Sequence, residues 1–160
     1  MSNKKNLLST SPEQTRRFGS WLARRLRGGD VVLLRGQLGA GKSELARGIA
    51  YGLGVKGPVT SPTFTLLNIY ETSGAPLHHF DWYRIEDPEE LLVAGLDEQI
   101  GGEAITLIEW SERAEELVPP RHLDITITPL AGDHRDIQLA PSPGFNLPGL
   151  DTIDHWEQDA

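Results

Sequence analysis

The stretch Val31-Val32-Leu33-Leu34-Arg35-Gly36-Gln37-Leu38-Gly39-Ala40-Gly41-Lys42-Ser43 decides how this chain is read. Its first four residues are a continuous run of β-branched and leucine side chains. Such a run marks a strand buried on both faces, as in a parallel sheet. Gly36 to Ser43 then fits the spacing G-x-x-x-x-G-K-[ST]. A loop that wraps a phosphate must bring its backbone close and adopt unusual angles, which glycine tolerates. Its N–H groups then point inward, and a helix starting near Lys42 adds its positive end. Lys42 supplies a mobile positive charge for the β and γ phosphates, and the Ser43 hydroxyl can ligate Mg²⁺. The residues after Lys42 continue the pattern, with Leu45, Ile49 and Leu53 on one helical face. Leu38, Gly39, Ala40, Gly41, Lys42, Ser43 and Glu44 are the candidate nucleotide contacts.

Working outward, Thr10-Ser11-Pro12-Glu13-Gln14 predicts a helix start, with a hydroxyl cap, a proline in the first turn and Glu or Gln at capping-box spacing. Phe18, Leu22 and Leu26 follow at helical spacing, and Gly28-Gly29 is expected to end the helix. Beyond the cradle, 63–70 and 76–80 predict two strands joined by the turn Thr72-Ser73-Gly74-Ala75. Asp87-Pro88-Glu89-Glu90 opens a short acidic helix. Residues 104–108 predict another buried strand. Residues 123–128 and 135–140 predict a second hairpin. The fold class is therefore α/β, a P-loop fold whose mixed sheet has a parallel core, antiparallel hairpin extensions and flanking helices. Residues 1–140 are expected to form a single domain. Residues 141–160, with three prolines, two glycines and scattered acids, are expected to form a poorly ordered tail. Phe145 and Trp156 are its candidate docking residues.

The bulk numbers fit one domain. The 160 residues are 38% hydrophobic and 24% charged, a globular composition. No apolar run is long enough to span a bilayer, and Leu7-Leu8 is too short for a signal-peptide core. A cytoplasmic location is the expectation. With no cysteine in the chain, disulfides, thiolate metal sites and cysteine nucleophiles are excluded. A formal charge of −8 argues against tight, stand-alone nucleic-acid binding. Arg16, Arg17, Arg24, Arg25 and Arg27 read as the solvated face of the first helix.

A phosphate cradle alone binds nucleotide and hydrolyses little; it also needs an acid near the metal and a group to orient water. Asp81 and Glu109 each close a predicted strand, at the edge where ligands gather in such sheets. Thr63 and Thr65 read either as switch-like hydroxyls or as β-forming residues after a turn, and Trp110 either as a nucleotide contact or as core. His78-His79 reads as ordinary strand polarity, because neighbours in a strand face opposite ways. An Asn-Lys-x-Asp element is absent from the sequence, which favours ATP over GTP.

Taken together, Gly36 to Ser43, Ser61-Pro62-Thr63-Phe64-Thr65-Leu66, His79-Phe80-Asp81-Trp82-Tyr83-Arg84 and Ile108-Glu109-Trp110 resemble the bacterial TsaE (YjeE) family. The resemblance runs from about Ser9 to Leu139. It implies the ATPase component of the machinery that makes threonylcarbamoyladenosine in transfer RNA, acting with TsaD and TsaB and meeting tRNA only through them. In this family ATP hydrolysis is thought to reset the TsaB–TsaD pair between turnovers. By resemblance, Ser43 and Glu109 ligate Mg²⁺, Asp81 has a catalytic or metal-shell role beside Lys42 and Glu109, Trp110 contacts nucleotide, and Arg135 reaches it from the last hairpin. Ser43 stands where the family usually has Thr, Trp82 where it has Leu, and Ser111 where it has Pro; the required functional groups remain. Two other readings stay open. One is a small-molecule kinase, for which Arg84 and Arg113 are the arginines near the right regions. The other is a nucleotide-dependent binding module with negligible turnover.

Overall fold

Val32 and Leu34 point to one face of their strand and Val31 and Leu33 to the other, and all four are buried. That two-sided burial puts the strand, β2 (Val31–Arg35), at the centre of a seven-stranded sheet in the computed structural model, which describes residues 4–159. The remaining strands are β1 (Lys5–Ser9), β3 (Leu67–Tyr70), β4 (Leu77–Asp81), β5 (Ile105–Glu109), β6 (Leu123–Pro129) and β7 (Arg135–Pro141), in the order β1-β7-β6-β2-β5-β4-β3. β6, β2, β5 and β4 run parallel. β3, β7 and β1 pair antiparallel at the two sides. This is the expected mixed sheet with a parallel core and two hairpins. Residues 1–3 of the expected domain and residue 160 of the expected tail lie outside the described residues.

Two helices cover the Val32/Leu34 face: α1 (Pro12–Ala23) and α2 (Lys42–Gly52). Ser11 caps α1 by accepting a hydrogen bond from the Gln14 N–H at 3.1 Å, a contact worth about 1 kcal/mol. Gln14 returns the interaction one residue earlier than the expected box, accepting from the Thr10 N–H at 2.6 Å. The two helices touch at Gly48, where an added Cβ would lie 2.1 Å from the Arg16 carbonyl oxygen, so only glycine allows this approach. The opposite face is covered by α3 (Glu89–Val93) and the short 3₁₀ turns 96–99 and 111–117, around Phe80, Trp82, Ile85 and Leu91. Among the described residues, no helix is long and apolar enough to cross a membrane.

Three expectations are corrected. β1 has no counterpart in the sequence reading. It pairs with β7 from Lys5↔Leu139 to Ser9↔Arg135 and buries Leu7 while exposing Leu8. The strand expected from Thr63 begins only at Leu67. Before it, the chain turns, closed by the Leu66 N–H donating to the Pro62 carbonyl at 2.7 Å, with Leu66 at a φ of 68°. The segment after Pro141 is not a loose tail. Phe145, Leu147, Leu150, Ile153 and Trp156 are buried in the core beside α1 and β1. Trp156 meets Phe18 edge-on at 5.4 Å, and Gln14 donates to Glu157. Apolar burial by these five side chains offsets the entropy of ordering the segment.

Candidate active site at the phosphate cradle

The parallel strands β2, β4 and β5 all end at one edge, and the loops leaving them surround a cleft of about 340 Å³. Leu38, Gly39, Gly41, Lys42 and Ser43 come from the loop after β2. Ser61 and Thr63 come from the turn before β3. Asp81 and Tyr83 follow β4, and Glu109 and Trp110 follow β5. Register explains why the acids meet: Asp81 pairs with Glu109 across β4 and β5, so both carboxylates leave the sheet together.

The cradle is built to receive an anion. Gly41 caps α2 with a φ of 111° and gives no side-chain hydrogen bond to the helix. The first N–H groups of α2 are therefore left to a ligand, and the helix dipole favours negative charge there. Lys42 is buried to 6% exposure. That burial pushes its amine below the ordinary lysine range, while the carboxylates of Glu109, Asp81 and Glu112 pull the other way. Its Nζ lies 4.3 Å from the centre of the Trp110 ring, within cation–π range. Trp110 holds a left-handed backbone (φ 59°) that costs a non-glycine residue roughly 1–2 kcal/mol. Tyr83 packs against the same ring at 4.8 Å.

The two carboxylates are held differently. Asp81 accepts hydrogen bonds from Ser61 Oγ at 3.2 Å, Thr63 Oγ1 at 3.1 Å and the Tyr83 N–H at 2.9 Å. Glu109 is 5% exposed and bonds His79 Nε2 at 2.7 Å. Each acid is thus fixed by neighbours at an edge that faces the cleft.

The structure gathers Lys42, Ser43, Asp81, Glu109 and Trp110 with Leu38, Gly39 and Gly41. Three other candidates are not among the residues lining the cleft. Ala40 turns its methyl into the core, and its carbonyl accepts from Arg135 Nε at 2.9 Å. Arg135 therefore braces the loop backbone. Arg16 and Arg47 bond the Glu44 carboxylate at 2.8 and 2.9 Å, so its side chain faces α1 and only its backbone is offered to the cradle. Thr65 donates to Asn68 away from the cleft. Arg84 and Arg113, the arginines of the kinase reading, lie over the rings of Phe64 and Tyr83. Sequence reasoning gave no role to Ser61, Tyr83 or His79. For His79 the signal existed: it is two residues before Asp81 in a strand and so shares its face.

An α/β sheet with a glycine-capped helix, a buried lysine and two carboxylates at its C-terminal edge defines a P-loop-type protein. Comparison with known proteins narrows the class. Residues 9–137 match the family described as "Threonylcarbamoyl adenosine biosynthesis protein TsaE", and the chain belongs to that family. It is 41% identical over 129 residues to the tRNA threonylcarbamoyladenosine biosynthesis protein TsaE of Bacillus subtilis, covering 81% of this chain and 80% of that one. It is 38% identical over 133 residues to the TsaE of Treponema pallidum, covering 83% and 98%. The crystal structure of Bacillus subtilis YdiB superposes with a TM-score of 0.81 at 30% identity, over 99% of this chain and 97% of that one.

Proposed function

We propose that this chain binds ATP with Mg²⁺ and hydrolyses it, serving the biosynthesis of threonylcarbamoyladenosine in transfer RNA through TsaD and TsaB. The observation that carries the reading is the convergence on one cleft of Lys42, Ser43, Asp81 and Glu109. Its donor set suits the group: Mg²⁺ is typically held by one or two carboxylates together with the phosphates of its nucleotide. Ser43 and Glu109 would hold the ion. Bound Mg²⁺ neutralises charge on the transferred phosphoryl group. Lys42 leaves the Trp110 ring for the phosphates, and the α2 N–H groups orient them. Asp81 accepts a hydrogen bond from the attacking water. Its present donors, Ser61 and Thr63, belong to the one loop that would sense the terminal phosphate. The cradle is a site for nucleotide, and tRNA is met through the partner proteins.

Hydrolysis of Mg²⁺–ATP, measured alone and with added TsaB–TsaD complex, tests this reading. The expected result is a slow rate alone that rises with the partners. A rate indifferent to them would detach the ATPase from tRNA modification, and phosphoryl transfer to a small acceptor would favour a kinase.

A further inference from the structure

We infer that His79 is a positioning residue for the metal site: its imidazole fixes the rotamer of Glu109 so that the carboxylate meets Mg²⁺ in a single orientation. The inference rests on the proposed Mg²⁺-binding role of Glu109.

The geometry is specific. His79 and Asp81 are alternate residues of β4 and share one face of the sheet. Across the parallel pair, His79 stands opposite Leu107 and Asp81 opposite Glu109. His79 therefore reaches diagonally from two residue pairs back along the strands and meets Glu109 Oε2 at 2.7 Å. His79 is 3% and Glu109 5% exposed, and His79 lies outside the cleft lining. Among the described residues, its side-chain hydrogen bond is to Glu109. A carboxylate this buried needs a donor, since desolvation without a partner is costly. The imidazole supplies that donor to Oε2, while Glu109 still lines the cleft. Partners of this kind, one bond behind a ligand, commonly change metal affinity or activity by 10–100-fold when removed.

Two amides separate positioning from simple core filling. In His79→Gln the side-chain N–H reaches about as far as Nε2. In His79→Asn it stops about one bond shorter, leaving Glu109 without its donor. Both keep a buried polar group of similar bulk. The readout is Mg²⁺ affinity, from titration of the ADP-loaded protein followed by tryptophan fluorescence, alongside ADP affinity without metal and melting temperature. In His79→Asn the Mg²⁺ half-saturation point is expected to rise about 10–100-fold. His79→Gln is expected to stay within about threefold of native, and metal-free ADP affinity to stay unchanged in both. Native-like Mg²⁺ affinity in His79→Asn, or equal impairment of both variants, would overturn the inference. Glu109→Gln is the reference. If it leaves Mg²⁺ affinity unchanged, the metal role of Glu109 fails and the His79 role falls with it. If only Glu109→Gln shifts the affinity, the metal site stands and His79 has no part in positioning it.

Discussion

The amine of Lys42 rests 4.3 Å above the Trp110 ring, so the cation that should meet phosphate is held in the cleft by an aromatic side chain. Burial pushes its pKa below the ordinary 10.5, and nucleotide phosphates would restore the charge. ADP binding should therefore take up protons as pH rises above the lowered pKa, where free Lys42 is partly neutral. Below the lowered value the uptake should vanish. Calorimetry in buffers of different ionisation enthalpy checks both the sign and the window.

The same burial predicts a stability effect. The unfolded chain binds more protons than the folded one between the lowered pKa and 10.5, so the cost of burying the charge is full below that window and fades as pH rises through it. Lys42→Met keeps the length and removes the charge. Its melting temperature at neutral pH is expected to equal or exceed the native one. A fall of several degrees would show that Lys42 stabilises the empty fold.

Asp81 ties down the turn before β3 through Ser61 and Thr63. Asp81→Ala should lower ATP hydrolysis by about 10²-fold or more while changing ADP affinity little. It should also speed amide exchange in residues 61–66. Hydrolysis kinetics and exchange mass spectrometry read the two effects separately.

Arg135 bears on the cradle through the Ala40 carbonyl. Arg135→Ala should cost about 1–2 kcal/mol of cradle stability, by loss of a charge-assisted bond. ADP should then bind roughly 5–30-fold more weakly. Calorimetric titration of the variant checks this; an unchanged affinity would mean that the hairpin does not shape the cradle.

Trp156 closes the core against Phe18. Trp156→Ala should destabilise by about 3–5 kcal/mol, lowering the melting temperature by on the order of 10 °C. ADP affinity at low temperature should stay native, because this residue lies among α1 and the last segment, apart from the cleft lining. Thermal melts with and without ADP separate the two.

The tail also shows where reading a sequence fails. Leu147, Leu150, Ile153 and Trp156 recur at intervals of three, the period of a 3₁₀ helix, and four of the last turn-forming residues are acids. Composition hid that pattern. β1 escaped because only Leu7 of its five residues is a buried apolar side chain, too little to outweigh its polar neighbours. By contrast, β2 and β5 were legible, since strands buried on both faces tend to read as near-continuous apolar runs. The glycine-rich loop into α2 was legible because its close turns restrict residue type at fixed spacing. Asp81 and Glu109 were legible as strand-end acids. The contacts between loops, Arg135 to Ala40 and His79 to Glu109, were not, because they depend on register between segments far apart in sequence.

The most direct test of the central claim is calorimetric titration of ADP and a non-hydrolysable ATP analogue into the native protein and Lys42→Ala, both shown to be folded. Native protein should bind each nucleotide at one site, and Lys42→Ala should bind at least about tenfold more weakly, by loss of a charge-assisted contact. Equal affinity in the two folded proteins would contradict the assignment of the cleft around Lys42 as the nucleotide site.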